Sequence, residues 1–222
     1  MNLLAHLRRG CVLLAAALIP LSSFAQRSAP GAGDIARLVD AHYNQLHSLR
    51  AGFSQSYEGL GIHRSESGTL LLLKPGRMRW DYASPAGKLF LLDGKYAWSY
   101  APGTNQVQRI PAKQLDDLRS PLSFLLGHTQ LEKELTNLQL SSAPNGQFIL
   151  TGTPKGQQDR VRQIKLAVTA SGAITAIDIE ENDGALTRFT FTGEQPNAPA
   201  PESAFRFTPP PGVPVVDGLP PV

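Results

Sequence analysis

From Ala51 to Gly193 the apolar residues tend to recur at every second position, and turn residues break the pattern at short intervals. Arg77–Tyr82 is the cleanest case: Met78, Trp80 and Tyr82 alternate with Arg77, Arg79 and Asp81. Successive side chains of a strand point to opposite faces of a sheet, so this stretch predicts a half-buried strand with one apolar face. The same reading gives strands over Ala51–Gly59, Arg64–Lys74, Lys88–Leu92, Lys95–Tyr100 and Gln106–Ile110. It resumes over Leu135–Ser141, Gln147–Thr153, Val161–Thr169, Ala173–Glu181 and Leu186–Gly193. Pro75-Gly76, Asp93-Gly94, Asn145-Gly146, Ser171-Gly172 and Asp183-Gly184 mark turns between them. About ten short antiparallel strands in one strongly curved sheet are expected. With 20 Gly and 18 Pro in 222 residues, a helix bundle is excluded.

Helices are few. Ile35, Leu38, Val39, His42, Tyr43, Leu46 and Leu49 follow helical spacing behind Asp34, a natural N-cap, which predicts one long helix over Asp34–Leu49. Shorter helical stretches are expected over Ala112–Leu118 and Pro121–Gly127, the second opened by Ser120. At the start of the chain Arg8 and Arg9 precede an uncharged run from Cys11 to Leu21, and Ser23-Phe24-Ala25 offers small residues before Gln26. That is the pattern of a secretory signal peptide over residues 1–25, too short for a spanning helix. A mature domain over 26–208 is expected, followed by a proline-rich tail over 209–222.

Taking Arg8 and Arg9 away leaves 19 Lys and Arg against 18 Asp and Glu, so the electrostatic case for nucleic-acid binding disappears. The single cysteine, Cys11, leaves with the signal, and no disulfide or thiolate metal site is expected. Glycine-loop, nucleophile-elbow and zinc-helix motifs are missing, which predicts no catalytic residue, no metal and no cofactor. His42 and His47 lie five apart on the expected helix and cannot share a metal. His63, Ser65 and Glu66 crowd one loop, whereas a triad needs groups converging from separate elements. Asp178 and Glu180 read as the wet side of a half-buried strand whose other side carries Ile177 and Ile179.

What remains is apolar surplus. Leu70–Leu73 is apolar on both faces, and Leu89, Leu91, Trp98 and Tyr100 follow close by. Leu122, Phe124, Leu125 and Leu126 would form a helix apolar almost all round. Pattern alone allows two readings: helices that plug the concave side of the sheet as an ordinary core, or a plug that leaves a lipid-sized cavity.

An ordered set of short motifs bears on that choice. Phe53-Ser54-Gln55, Gly68-Thr69-Leu70 through Lys74-Pro75-Gly76-Arg77-Met78-Arg79-Trp80-Asp81-Tyr82, Asp93-Gly94-Lys95 with Trp98-Ser99-Tyr100, Gln106-Val107, Ser120-Pro121-Leu122 and Phe205-Arg206-Phe207-Thr208-Pro209 with Gly212-Val213 run through most of the chain. In this order they resemble the periplasmic outer-membrane lipoprotein carrier protein, the LolA family. The resemblance implies an α+β, mainly β fold: an open, incomplete antiparallel β-barrel whose concave apolar face is covered by helices. It implies a periplasmic, monomeric carrier, not an enzyme. Such a carrier takes triacylated lipoproteins from an inner-membrane ABC lipoprotein exporter and passes them to an outer-membrane lipoprotein receptor. Its acyl-chain cavity would be lined by Phe53, Leu70, Leu72, Met78, Trp80, Tyr82, Leu89, Leu91, Trp98, Leu122, Phe124 and Leu125. Lys74, where family members often carry Arg, would contact the helical lid supplied by Ser120–Gly127. Two other roles fit the same fold: a periplasmic stress-sensing binder, or a carrier of another acylated lipid.

Overall fold

The computed structural model describes residues 29–117 and 129–218. Helix α1 (Ala32–Asn44) is followed by β1 (Ser48–Gly59), β2 (Ile62–Leu73), β3 (Arg77–Ser84), β4 (Leu89–Asp93), β5 (Tyr96–Tyr100) and β6 (Val107–Pro111). Next come α2 (Ala112–Asp117), α3 (Leu131–Glu134), β7 (Leu135–Ser142), β8 (Phe148–Pro154), β9 (Val161–Val168), β10 (Ile174–Glu181), β11 (Leu186–Pro196) and β12 (Val215–Asp217). All twelve strands belong to one sheet, in the order β12-β6-β5-β4-β3-β2-β1-β11-β10-β9-β8-β7. The two end strands, β12 and β7, do not pair, so the sheet stays open.

Curvature follows from the core. One buried cluster contains side chains from each of β1 to β11 together with Ile35, Ala36, Val39 and Tyr43 of α1. Strands at opposite ends of an open sheet share one core only if the sheet curls round it, here with α1 on the concave side. Every strand neighbour is antiparallel except β12, which runs parallel to β6 with Val215 opposite Val107 and Asp217 opposite Arg109. The expected tail therefore contributes an edge strand, tied by the Arg109–Asp217 ion pair at 2.9 Å.

The long helix is shorter than the spacing predicts. It ends at Asn44, and the chain turns through Gln45 into β1 from Ser48. Leu46 and Leu49 are buried all the same, Leu46 in the connection and Leu49 on the strand. Residues that enter one core from two consecutive elements mimic a continuous helical period. The side chain of Asn44 replaces the next helical turn: Nδ2 donates to the Thr129 carbonyl at 2.9 Å, and the Thr129 N–H donates to Oδ1 at 2.7 Å.

Candidate functional site

The pleat and the register decide which side chains reach the concave face. On β2, Leu72 and Leu70 face inward, opposite Met78 and Trp80 of β3. On β1, Phe53 lies across from Gly68 on one side and Phe191 of β11 on the other. The rings meet edge to face: Phe53 and Trp80 centroids are 4.6 Å apart, Phe53 and Tyr82 5.1 Å, Trp80 and Phe189 5.7 Å. Phe189 and Phe191 stack beside them at 6.4 Å. The Trp80 indole N–H points at Met78 Sδ, 2.7 Å away, so the one polar atom of that side chain has a soft acceptor. Phe53, Leu70, Leu72, Met78 and Trp80 are buried here, and Tyr82 packs partly buried against them.

Leu89, Leu91 and Trp98 are not part of this face. Register places Trp80 opposite Phe90 and Met78 opposite Leu92, which sends Leu89 and Leu91 to the side of Asp81 and Arg79. There, Leu89, Leu91, Leu71 and Phe205 form a second buried cluster, with Trp98, Leu73 and Phe207 packed partly buried against it. The outer face is apolar at this place because the chain around Glu202–Phe205 crosses it, fastened by Arg79 Nη1 donating to the Ala204 carbonyl at 2.9 Å. The concave positions of this region are instead Phe90, Leu92, Ala97 and Ile110. β4 reads Leu-Phe-Leu-Leu-Asp, apolar at both parities, so alternation alone gives no inward direction for it. Phe189 and Phe191 were legible from their spacing of two, on the same parity rule that found Met78 and Trp80. Leu122, Phe124 and Leu125 lie outside the described residues.

Lys74 does reach a helix end, though a different one. Its Nζ donates to the Tyr43 carbonyl in the last turn of α1 at 2.8 Å. That carbonyl belongs to the negative end of the helix dipole, where a cation is favoured. Burial beneath α1 pushes the Lys74 ammonium below its ordinary value. The expected partner, Ser120–Gly127, lies outside the described residues. α1 has further polar fastenings: Asp40 Oδ1 accepts the Leu131 N–H at 3.0 Å, and the His42 ring lies 2.7 Å from Glu194. The Tyr43 hydroxyl accepts the Ile174 N–H at 3.0 Å, and burial and the Glu194 charge push its phenol well above the usual range.

The carboxylates weighed for chemistry have structural partners. His63, Ser65 and Glu66 stand on strand β2 and not in a loop, so Glu66 points away from the other two. Asp178 takes a two-pronged contact from Arg188 at 2.7 and 2.8 Å, and Glu180 is held by Arg162 and Gln163. Among the described residues no three His, Cys, Asp or Glu side chains converge as a metal site would require.

An apolar inner face on an open sheet, under a helix that packs its apolar side on that face and is fastened by polar contacts along its second half, is the setting in which the comparisons gain meaning. A family profile described as "Outer membrane lipoprotein carrier protein LolA" matches residues 44–208. The chain belongs to the LolA family. Among its relatives, the outer-membrane lipoprotein carrier protein of Dechloromonas aromatica is 30% identical over 202 residues, covering 90% of this chain and 92% of that one. The protein of the same name from Cupriavidus taiwanensis is 30% identical over 213 residues, covering 92% and 97%. A solved structure of an uncharacterized conserved protein from Thermus thermophilus shares the fold, with a TM-score of 0.53 and 16% identity over 84% of this chain and 99% of that one. The family's name is that of a carrier. Its open sheet matches the incomplete barrel expected from sequence.

Proposed function

We propose that this LolA-family protein is a periplasmic carrier that shields the acyl chains of lipoproteins leaving the inner membrane and delivers them to the outer membrane. The observation that carries this reading is the continuous inner face of Phe53, Leu70, Leu72, Met78, Trp80 and Phe189, all apolar and all in one cluster with the buried side of α1. Three acyl chains hold about 45 methylenes, so exposing them to water costs on the order of 35 kcal/mol at about 0.8 kcal/mol each. No lipoprotein crosses an aqueous compartment unaided against that. A carrier must also let go, and non-covalent affinity saturates near about 20 kcal/mol, so the face need recover only part of the cost.

α1 supplies the balance between holding and releasing. In the closed arrangement its apolar side competes with acyl chains for the same inner face. The donor of cargo is then an inner-membrane ABC exporter and the acceptor an outer-membrane receptor. Export through a cleaved signal peptide over residues 1–25 puts the carrier in the compartment between them. The test is mass spectrometry of what co-purifies with the protein from periplasm. Triacylated lipoproteins support the reading; a free glycolipid moves the protein to another acylated cargo; an empty protein under all conditions overturns it.

A further inference from the structure

Along β2 the apolar inner face ends abruptly on both sides. Lys74, Leu72, Leu70, Gly68 and Glu66 fall on one parity, so a charged residue brackets the apolar stretch on each side. The two ends differ in kind. Lys74 uses one donor, on the Tyr43 carbonyl, and among the described residues no carboxylate forms an ion pair with it. Glu66 is closed off: its carboxylate is 5% exposed, and Lys88 Nζ donates to both oxygens at 2.7 Å. Arg64 Nε stands 3.6 Å from the same carboxylate. Lys88 Nζ also lies 4.4 Å from the centre of the Tyr82 ring, the last ring of the aromatic cluster. Burial and the Glu66 charge push the Tyr82 phenol up to about 12, as a dry site next to fixed negative charge requires.

We propose that the Glu66–Lys88 pair is the end wall of the acyl-binding face and sets the longest chain the protein can shelter completely. The inference rests on the acyl-carrier reading and gives it a substrate preference. From Leu72 to Glu66 the strand advances six residues, about 20 Å. An extended acyl chain with carbon–carbon bonds of about 1.5 Å advances about 1.25 Å per carbon, so about sixteen carbons fit. A longer chain must break a buried ion pair and leave a charge without a partner, or else keep its excess methylenes in water. The polar head of the cargo belongs at the other end, where the ammonium of Lys74 has donors to spare for ester or amide carbonyls. Chain termini therefore point toward Tyr82.

The experiment offers the purified protein an equimolar mixture of synthetic peptides whose N-terminal cysteine carries two acyl chains of twelve to twenty carbons, and reads the bound fraction by mass spectrometry. In the wild type, enrichment should rise by up to about fourfold per methylene and stop rising near sixteen carbons. The double variant Glu66→Leu/Lys88→Met replaces the pair by apolar groups of similar volume, and should raise the twenty-to-sixteen enrichment ratio at least tenfold. Glu66→Gln, which keeps the wall polar, should keep the wild-type profile. An unchanged profile in the double variant, with binding intact, overturns the wall alone; a wild type that retains no acylated peptide overturns the carrier reading with it. A sixteen-carbon peptide with a photoreactive diazirine at its chain ends answers the question on the wild type itself. Labels on Glu66, Tyr82 or Lys88 support the proposed direction, and labels gathered around Lys74 and the end of α1 refute it.

Discussion

Gly68 has no side chain because two neighbours occupy its place. A Cβ there would stand 2.0 Å from the Asp81 carbonyl oxygen and 2.9 Å from Phe53 Cε1. The pairing of β2 with β3 shifts register between Ser67 and Gly68, which brings the backbone of Asp81 inward at that point. Gly68→Ala must displace backbone and not just a flexible tip, and a loss of about 2–3 kcal/mol in urea unfolding is expected. Asp93 shows the opposite use of a residue, as an acceptor that builds a turn. Its carboxylate receives the N–H groups of Lys95 and Tyr96, both at 2.7 Å, and the Trp98 indole at 2.8 Å. Burial alone would raise this carboxyl, but the three donors outweigh it and hold it below its ordinary value. A depressed carboxyl contributes stability that is present above its unfolded value near about 3.9 and is lost as pH falls through the folded one. Asp93→Ala should cost about 1–2 kcal/mol at neutral pH, the low end because the group is partly exposed. Urea melts at pH 7 and pH 3 check it: the gap between wild type and variant should narrow in acid.

Among the elements, α1 is the one on which the proposed carrier role turns. Its inner side is apolar at Ile35, Ala36, Val39 and Tyr43, while Lys74, Thr129, Leu131 and Glu194 meet its outer turns through polar contacts. Contacts of that kind re-form readily after opening, whereas a strand of the sheet would lose a ladder of backbone bonds. On the proposed carrier reading α1 lifts to admit cargo, and replacing Lys74 by Leu removes a hydrogen bond that holds it down. If closure weakens by about 1.4 kcal/mol, the balance between closed and loaded forms shifts about tenfold toward loaded. Lys74→Leu should take up cargo from inner-membrane vesicles as well as the wild type and hand it to the outer-membrane receptor poorly. Lys74→Arg should keep both steps, because a guanidinium reaches the same carbonyl. Scoring uptake and delivery separately is the check, and equal loss of both steps would exclude a role for Lys74 in closure.

At the scale of the molecule the sheet has two buried faces, and the proposed carrier role uses only the inner one. The inner cluster spans eleven strands and α1, whereas the outer one is local and covered by the chain around Phe205. Leu72 and Leu91 are both buried leucines, one on each face. Leu72→Ala and Leu91→Ala should each cost about 2–4 kcal/mol in thermal or urea unfolding. Acylated-peptide binding should drop only for Leu72→Ala, and an equal drop for Leu91→Ala would mean that cargo does not sit on the inner face. Much of this architecture was readable from the chain alone, since alternation and turn dipeptides are local: a strand's pleat and a turn's backbone depend on a few neighbouring residues. The limits of β5 and β9, to within a residue, and the turn at Asp93-Gly94 came from that level; β3 runs two residues past the expected Tyr82, and α1 begins at Ala32 behind Gly31, so Asp34 is not the N-cap but a first-turn residue whose carboxylate accepts the Gly31 N–H. The side of the sheet was a different matter. Met78 and Trp80 declare theirs because arginines and an aspartate alternate with them. Leu89 and Leu91 declare nothing, because Phe90 and Leu92 are apolar too, and their face is set by the register with β3 and by a C-terminal segment more than a hundred residues away in the chain. The same holds for Lys74 and Glu66, whose partners Tyr43 and Lys88 arrive only when helix and strands have packed. Local periodicity carries no information about which distant residue will cover a surface or neutralise a charge; packing decides both, because burial leaves no charge without a partner and no apolar face in water.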